Sequence, residues 1–375
     1  MTFLIQHEWS IAGFFAVLCT IALLNSWGIR RLRPLRPRCC PKVCALVPMR
    51  DEQANAGGSV RSLLGQDYPA LEVVVYEEGS TDRTPQILAG RRHPRLRVIH
   101  GRPPPQGWLG KSWACAQLAD SAGAKLLLFA DADVRLAPGA VAAAVAQMRR
   151  RRLQFLSVLP RQEIGSFGEL LLVPLIPWSL SSFFPLFLPR LTPAAVGQFI
   201  LVDRQAYLKM GGHAAVRGQV VEDMALAKRA AHAGISARLY SGGKLVSCRM
   251  YDGLRPAVDG LSKNLFAVFG KRLGLYSLAW TWILYSAWQP VWVASLAWAG
   301  LLPSGLAVPA SLALGLDLCL WGYTAWRFRL PAALPLVHHL VVAAAWVVAA
   351  RSAFWHLAGR GTWKGRSIHV ERGIQ

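Results

Sequence analysis

Residues 10–29, SIAGFFAVLCTIALLNSWGI, carry no charge and are followed at once by RRLRPLRPR. A helix needs about 20 apolar residues to cross the hydrocarbon of a bilayer, and basic residues mark the cytoplasmic flank of such a span. A secretory signal peptide has the opposite polarity, with its charges ahead of the apolar core. The stretch therefore predicts an anchor whose N-terminus lies outside and whose following chain lies inside. Three further apolar stretches, 275–302, 310–326 and 334–350, predict additional spans, with Trp crowded where indole rings favour the headgroup boundary. Arg327 and Arg329 draw one loop inside, and the basic tail after Arg351 draws inward as well. A last segment that dips into the membrane without crossing it reconciles the two.

Charge narrows the partners. Lys and Arg number 42 against 20 Asp and Glu, a formal charge of +22, which calls for a polyanionic neighbour. With 53% hydrophobic residues and apolar stretches at both ends, that neighbour is an anionic membrane surface; no nucleic-acid recognition motif is present. The run RRRR at 149–152 closes a predicted helix, where the dipole favours it, and is placed to touch anionic lipid. The seven scattered cysteines read as reduced thiols. Cys39, Cys40 and Cys44 are candidates for palmitoylation and lack a fourth ligand with zinc spacing. His338 and His339 stand in an apolar stretch, where ionisable groups prompt a functional reading; packing or a buried hydrogen bond is the expected one.

Between roughly residues 40 and 270 the composition is ordinary and strands alternate with helices. KVCALVP, LEVVVYEEGS, LRVIHG and AKLLLFADAD read as strands, separated by the helical patterns SVRSLLGQ, TPQILAGR and SWACAQLADSA. Such alternation predicts a parallel sheet that binds ligands at the carboxyl ends of its strands. Acidic residues fall at those ends: Asp51 and Glu52, Glu77 and Glu78, Asp131 and Asp133. In LLLFADADVRL (126–136) a buried strand ends in two carboxylates one residue apart. Alternation puts both on one side, where like charges call for a cation. The alternative is a pair of solvated turn residues before a helix.

CALVPMRDEQANAGGSVRSLLGQDYPALEVVVYEEGSTDRT, GWLGKSWA, FADADVRLAPGAV, GQFILVDRQAYLKMGGH and VVEDMALAKRAAHAG together resemble glycosyltransferase family 2, the inverting enzymes of GT-A fold that use nucleotide-activated sugars. The resemblance covers most of residues 43–240. It implies an α/β fold of GT-A type, a Rossmann-like mixed sheet flanked by helices, plus transmembrane helices. Asp131 and Asp133 match the D-x-D pair, which holds the ribose and a divalent cation on the diphosphate. Asp131 then belongs to nucleotide-sugar binding and Asp133 to the metal, Mg²⁺ or Mn²⁺, hard ions suited to carboxylate and phosphate oxygens. Pro48, Arg50 and Glu52 match the first nucleotide loop, and Lys111 sits where the family often has a basic residue near the diphosphate. Glu77 and Glu78 stand where the family usually has paired Asp, the second of which reads the uracil ring. Asp223 matches the catalytic base of the family's E-D motif, with Glu222 beside it as support. Without the upstream motifs this pair reads as an acidic opening of the helix DMALAKRAAHAG.

The Q-x-x-R-W signature of membrane polymerases is absent; residues 249–272 read RMYDGLRPAVDGLSKNLFAVFGKR instead. RMYDG, GLSKNLF and a later WKGRSI (363–368) resemble membrane enzymes that glycosylate carotenoids and related polyisoprenoid lipids, with Leu261 where those carry Trp. LLLVPLIPWSLSSFFPLFLP (170–189) is apolar but interrupted by Pro174, Pro177, Pro185 and Pro189, which do not suit one straight helix. It suits an interfacial segment beside the site, over residues 170–193, or ordinary packing.

The expected organisation is an anchor and basic segment over 1–37, a GT-A domain over 38–270, and transmembrane helices with a basic tail over 271–375. The expected protein is a multi-pass enzyme of the inner, cytoplasmic membrane, its catalytic domain facing the cytoplasm. It would move a hexose, glucose first, from a UDP-sugar to a polyisoprenoid lipid such as a carotenoid, with inversion. Its rivals are transfer to a hopanoid, polyprenyl phosphate or diacylglycerol, and a catalytically inactive GT-A scaffold. Sugar, acceptor and oligomeric state are left open by the sequence.

Overall fold

Strand β2 (Val43–Met49) is buried along nearly its whole length, because VCALVPM offers no charged side chain to either face. Its residues alternate between two cores: Val43, Ala45, Val47 and Met49 enter one, Cys44 and Leu46 the other, as the period of two requires. The computed structural model describes residues 1–364 and 366–367; Gly365 and Ile368 of WKGRSI and the rest of the basic tail lie outside the described residues. The other strands are β1 (Arg30–Arg31), β3 (Leu71–Glu77), β4 (Leu96–His100), β5 (Leu126–Ala130), β6 (Val134–Leu136), β7 (Phe155–Leu159), β8 (Arg161–Gln162), β9 (Phe199–Asp203), β10 (Ala237–Ser241) and β11 (Val246–Cys248).

Eight of them form one sheet in the order β1-β10-β7-β9-β5-β2-β3-β4. All neighbours are parallel except β9, which runs antiparallel to both β5 and β7. Buried on both faces, the central strands β2, β3, β5, β7 and β9 read as nearly continuous apolar runs. The helices Ala56–Leu64 and Ala140–Arg150 contribute to one core, Gly110–Ser121 and Glu222–His232 to the other. A small sheet, β6-β11-β8, carries the chain away from the D-x-D turn. All seven cysteines are free.

This α/β unit comprises residues 29–163, 188–250 and the described residues from 362 to 367; a helical unit comprises 1–28, 164–187 and 251–361. In the helical unit three helices are long and apolar enough to cross a membrane: Thr2–Gly28, Ser304–Phe328 and Leu334–Leu357. The last is unbroken over 24 residues, about 36 Å at 1.5 Å per residue, so its length suits a full crossing rather than a dip. The remaining expected span forms the helix Leu273–Trp298, 26 residues with Pro290 inside. It is long enough, but its Trp and Tyr side chains and Gln289 make it less apolar.

The proline-broken stretch forms two short helices, Phe167–Leu172 and Leu175–Ser182, divided at Pro174. Pro177 falls in the first turn of the second, where no backbone donor is lost. Leu172, Val173, Leu175 and Trp178 are buried, so much of this segment packs inside the helical unit. Its following turn is pinned by Asn25, which is 2% exposed. The Asn25 amide donates to the carbonyls of Ser181 and Phe184, both at 2.7 Å, and its oxygen accepts from the Phe187 N–H at 3.1 Å. Gly28 leaves the room, since a Cβ there would stand 2.7 Å from the Phe187 nitrogen.

An unpaired buried polar group costs about 1–3 kcal/mol. Asn25→Leu is therefore expected to lower the thermal midpoint of the detergent-solubilised protein by several degrees, followed by Trp fluorescence. An unchanged midpoint would mean that these bonds do not hold the turn.

Candidate active site

Because β2, β3 and β5 are parallel, their carboxyl ends open on one edge of the sheet, and the acidic residues that follow them converge there. The antiparallel β9 starts at the same edge, so Gly197, just before it, joins the group. The helices Gly110–Ser121 and Glu222–His232 also begin here, bringing Lys111 and the Glu222–Asp223 pair in their first turns. Pro48, Lys111, Asp131, His213, Glu222 and Asp223 line one pocket.

Lys111 is its electrostatic centre. The ammonium lies 2.9 Å and 3.0 Å from the two oxygens of Asp131 and 2.9 Å from Oε1 of Glu222. Burial alone would lower its pKa, but Asp131 and Glu222 outweigh this and hold it well above the ordinary lysine range. Asp131 is pushed upward by burial against the opposing pull of Lys111.

Asp223 is held differently. Its Oδ2 accepts the Gly197 N–H at 2.8 Å and its Oδ1 the Met224 N–H at 2.8 Å. Burial first, then the neighbouring Glu222 charge, push its pKa up to about 6. A Cβ on Gly197 would sit 3.1 Å from the Lys111 nitrogen and 3.4 Å from Asp223, so glycine there lets both side chains approach the strand.

Asp133 has one carboxylate oxygen buried without a hydrogen-bond partner. Burial and the Asp131 charge push its pKa up to about 7. An orphaned anionic oxygen beside a second carboxylate is a donor set that fits a hard divalent cation.

The first loop is the most elaborated. Glu52 accepts from the Asn55 amide at 2.9 Å, and its N–H donates to Thr84 Oγ1 at 2.8 Å. Arg50 donates to the Glu78 carbonyl at 3.1 Å and to the Lys364 carbonyl at 3.4 Å. Lys364 in turn donates to the Arg50 carbonyl at 2.7 Å and pairs with Glu52. The turn between strands Thr362–Trp363 and Arg366–Ser367 thus lies on residues 50–52. Glu77 faces its own turn, accepting the Ser80 N–H at 2.6 Å, and Glu78 is buried, its N–H donating to the Met49 carbonyl.

Three participants are not singled out by the sequence: Gly197, His213 and Lys364. His213 is 3% exposed and packs edge-on to Phe129 at 4.7 Å. Its Nδ1 is 2.9 Å from the Tyr207 hydroxyl, which also accepts the His213 N–H. Burial pushes its pKa down to about 4, so the ring is neutral at physiological pH. Gly212, with φ +52, admits this arrangement, since a Cβ would stand 2.6 Å from the Tyr207 ring. The signals were the paired glycines of KMGGH and the WKGR stretch, each meaningful only once its neighbour in space is known.

Residues 44–210 match the sequence model of the family described as Glycosyl transferase family 2. The chain is 27% identical over 226 residues to the 4,4'-diaponeurosporenoate glycosyltransferase of Staphylococcus aureus strain USA300, and equally to that of strain NCTC 8325 / PS 47. The match covers 59% of this chain and 60% of those relatives. Among solved structures it is similar to the mannosyltransferase PcManGT from Pyrobaculum calidifontis in complex with GDP-Man and Mn²⁺. That likeness has a TM-score of 0.54 at 19% identity and covers 93% of this chain and 99% of the other. The sheet order, the D-x-D turn after β5 and these matches give one conclusion: the α/β unit has a mixed sheet of GT-A type, and its residues 44–210 match glycosyltransferase family 2.

Proposed function

We propose that this protein is an inverting glycosyltransferase that moves a hexose from a nucleoside-diphosphate sugar onto a hydroxylated or carboxylated polyisoprenoid lipid, a carotenoid first. The observation that carries the reading is Asp223. It is a carboxylate fixed by two backbone N–H groups, raised toward neutrality, and set in one pocket with Lys111 and Asp131. A base near the working pH takes a proton efficiently from an attacking oxygen. Inversion needs one such carboxylate on the face opposite the leaving group, because the acceptor attacks directly.

Lys111 and Asp131 are placed for the donor's diphosphate and ribose, with Arg50, Glu52, Glu77, Glu78 and Pro48 shaping the nucleotide loop. Asp133, with Asp131 beside it, would hold Mg²⁺ or Mn²⁺. When bound, such an ion neutralises charge developing on the leaving diphosphate. Glu222 holds Lys111 and, through its own charge, keeps Asp223 basic. UDP-glucose is the donor proposed first.

The lipid acceptor is supported by the helices of spanning length and by the relatives named for a carboxylated carotenoid. Placement in a cytoplasmic membrane, with the α/β unit inside, rests on the basic run after residue 29.

The deciding experiment is a lipid mass spectrum from a carotenoid-producing bacterial host carrying this protein, against the same host with Asp223→Asn. A hexose-sized gain on a carotenoid, absent from the variant, is expected. A gain on a hopanoid, polyprenyl phosphate or diacylglycerol keeps the mechanism and overturns the acceptor. No gain, and no release of nucleoside diphosphate in vitro, overturns the enzyme in favour of an inactive scaffold. Removing a general base typically costs about 10²–10⁴ in rate, with donor binding retained.

The pH profile of kcat/KM is expected to fall with acid below about 6, because Asp223 must be deprotonated to act. Glu222→Gln removes a charge that raises that pKa, so the acid limb should move to lower pH; a shift upward would contradict the assignment.

Asp133 gives a cation prediction. Its folded pKa, about 7, lies above the ordinary carboxylate value. The ion-free protein therefore loses stability as pH rises from about 4 through about 7, where the unfolded chain ionises first. A bound cation offsets that loss. Mn²⁺ should raise the thermal midpoint more at pH 8 than at pH 6, and Asp133→Asn should abolish the difference.

A further inference from the structure

Asp317 in the helix Ala307–Phe328 and His338 and His339 in the helix Leu334–Leu357 each offer one ligand atom, and these atoms lie within 4.8 Å of one another. The cluster belongs to the helical unit and takes no part in the site described above. Asp317 is 2% and His338 0% exposed; His339 is half-buried. Ionisable groups in such segments are costly and call for a partner or a function.

The hydrogen bonds of the two rings fix where their lone pairs lie. His338 Nδ1 is 2.6 Å from the Pro335 carbonyl, an acceptor only, so Nδ1 carries a hydrogen. His339 Nε2 is 3.1 Å from the Ala287 carbonyl, so Nε2 carries one as well. A neutral imidazole has one N–H. Each ring therefore commits its N–H to a backbone carbonyl and keeps the other nitrogen as an acceptor. His338 Nε2 stands 3.0 Å from Asp317 Oδ2. The ring centroids of the two histidines are 3.8 Å apart, close enough that two imidazolium ions would repel strongly.

Metal-binding histidines show this pattern, with the nitrogen away from the ion donating to a carbonyl or carboxylate. We propose that Asp317, His338 and His339 bind a divalent transition-metal ion of zinc type, which joins these two helices inside the helical unit. Two imidazoles and a carboxylate are a zinc donor set, completed by a solvent-derived fourth ligand. Zinc bonds of about 2.0–2.1 Å place ligand atoms about 3.3 Å apart in a tetrahedron. The Asp317–His338 pair is already near that spacing, and side-chain rotation brings the set together. The Ala287 carbonyl, in the helix Leu273–Trp298, ties a third helix to the same centre through His339.

The test uses the full chain in detergent, stripped with chelator and re-equilibrated with Zn²⁺. Asp131→Asn with Asp133→Asn serves as background, so that the candidate donor site contributes no metal. About one Zn²⁺ per chain is expected by elemental analysis, with affinity at least tenfold lower on adding His339→Gln or Asp317→Asn. Helical circular dichroism checks that each variant is folded. In parallel, Cu²⁺ bound to the wild-type chain should show electron paramagnetic couplings to two imidazole nitrogens, reduced to one in His339→Gln. Zinc absent from the folded background protein, or retained undiminished in both variants with oxygen-only Cu²⁺ spectra, would overturn the proposal and leave a buried hydrogen-bonded His–Asp pair.

Discussion

The ion triplet of Lys111 with Asp131 and Glu222 is the interaction on which the candidate site depends. Three chain segments end there: the strand β5, the helix opening at Gly110 and the helix opening at Glu222. Without the ammonium, the carboxylates of Asp131, Glu222 and Asp223 would crowd one pocket with no neutralising charge. Attraction at about 3 Å in a sheltered pocket is far stronger than in water, and both partners remain bound to the same cation. Charge balance then sets the chemistry. Lys111 holds Asp131 and Glu222, and burial still raises Asp131, Asp133 and Asp223 above the ordinary carboxylate range.

Sheet topology decides which residues meet. Parallel β2, β3 and β5 deliver loops to one edge, and the inserted antiparallel β9 turns Gly197 into that edge. The backbone N–H of Gly197 fixes Asp223 across 26 positions of sequence. The Asp223 carboxylate is thus oriented by the sheet edge as well as by the helix that carries it. His213, bonded to Tyr207, lines the pocket with a neutral ring, so that it adds no positive charge beside Lys111.

Much of this was legible because it is periodic. Alternating strands and helices announce the parallel sheet, and the acidic residues stand at strand ends because ligand loops do. The residues that escaped are those whose role lies across the fold. Gly197 looks like any glycine before a strand until Asp223 and Lys111 flank it. Lys364 lies over 300 positions from Glu52 and has no local signature beyond its basic neighbours. Glu77 illustrates the converse: its motif position was plain, yet its carboxylate turns back onto the Ser80 N–H. The helix Leu273–Trp298 was legible as apolar, but aromatic side chains with polar edges blur the line between a span and a buried helix.

The helical unit obeys a different rule. Its long apolar helices suggest membrane association, and in lipid apolar surfaces would not drive helices together, so packing and polar contacts between helices would fix their register. Glu8 pairs with Gln289, Arg351 with Asp259 at 2.7 Å, and Ser352 with the Ser262 carbonyl. Asn25 pins the turn after Ser182, and Asp317 meets His338. Each contact joins different helices or turns, and most bury a polar group that would be unpaired if its helix slid or turned; Arg351 and Asp259 stay partly exposed. These are specific positions along smooth apolar cylinders, and they define one arrangement among many that the apolar faces alone would accept. The Asp317–His338–His339 cluster is the most demanding of them, because it brings together three ionisable groups where one hydrogen-bonded pair would have sufficed to set the register. A metal ion gives that third group a reason to be there.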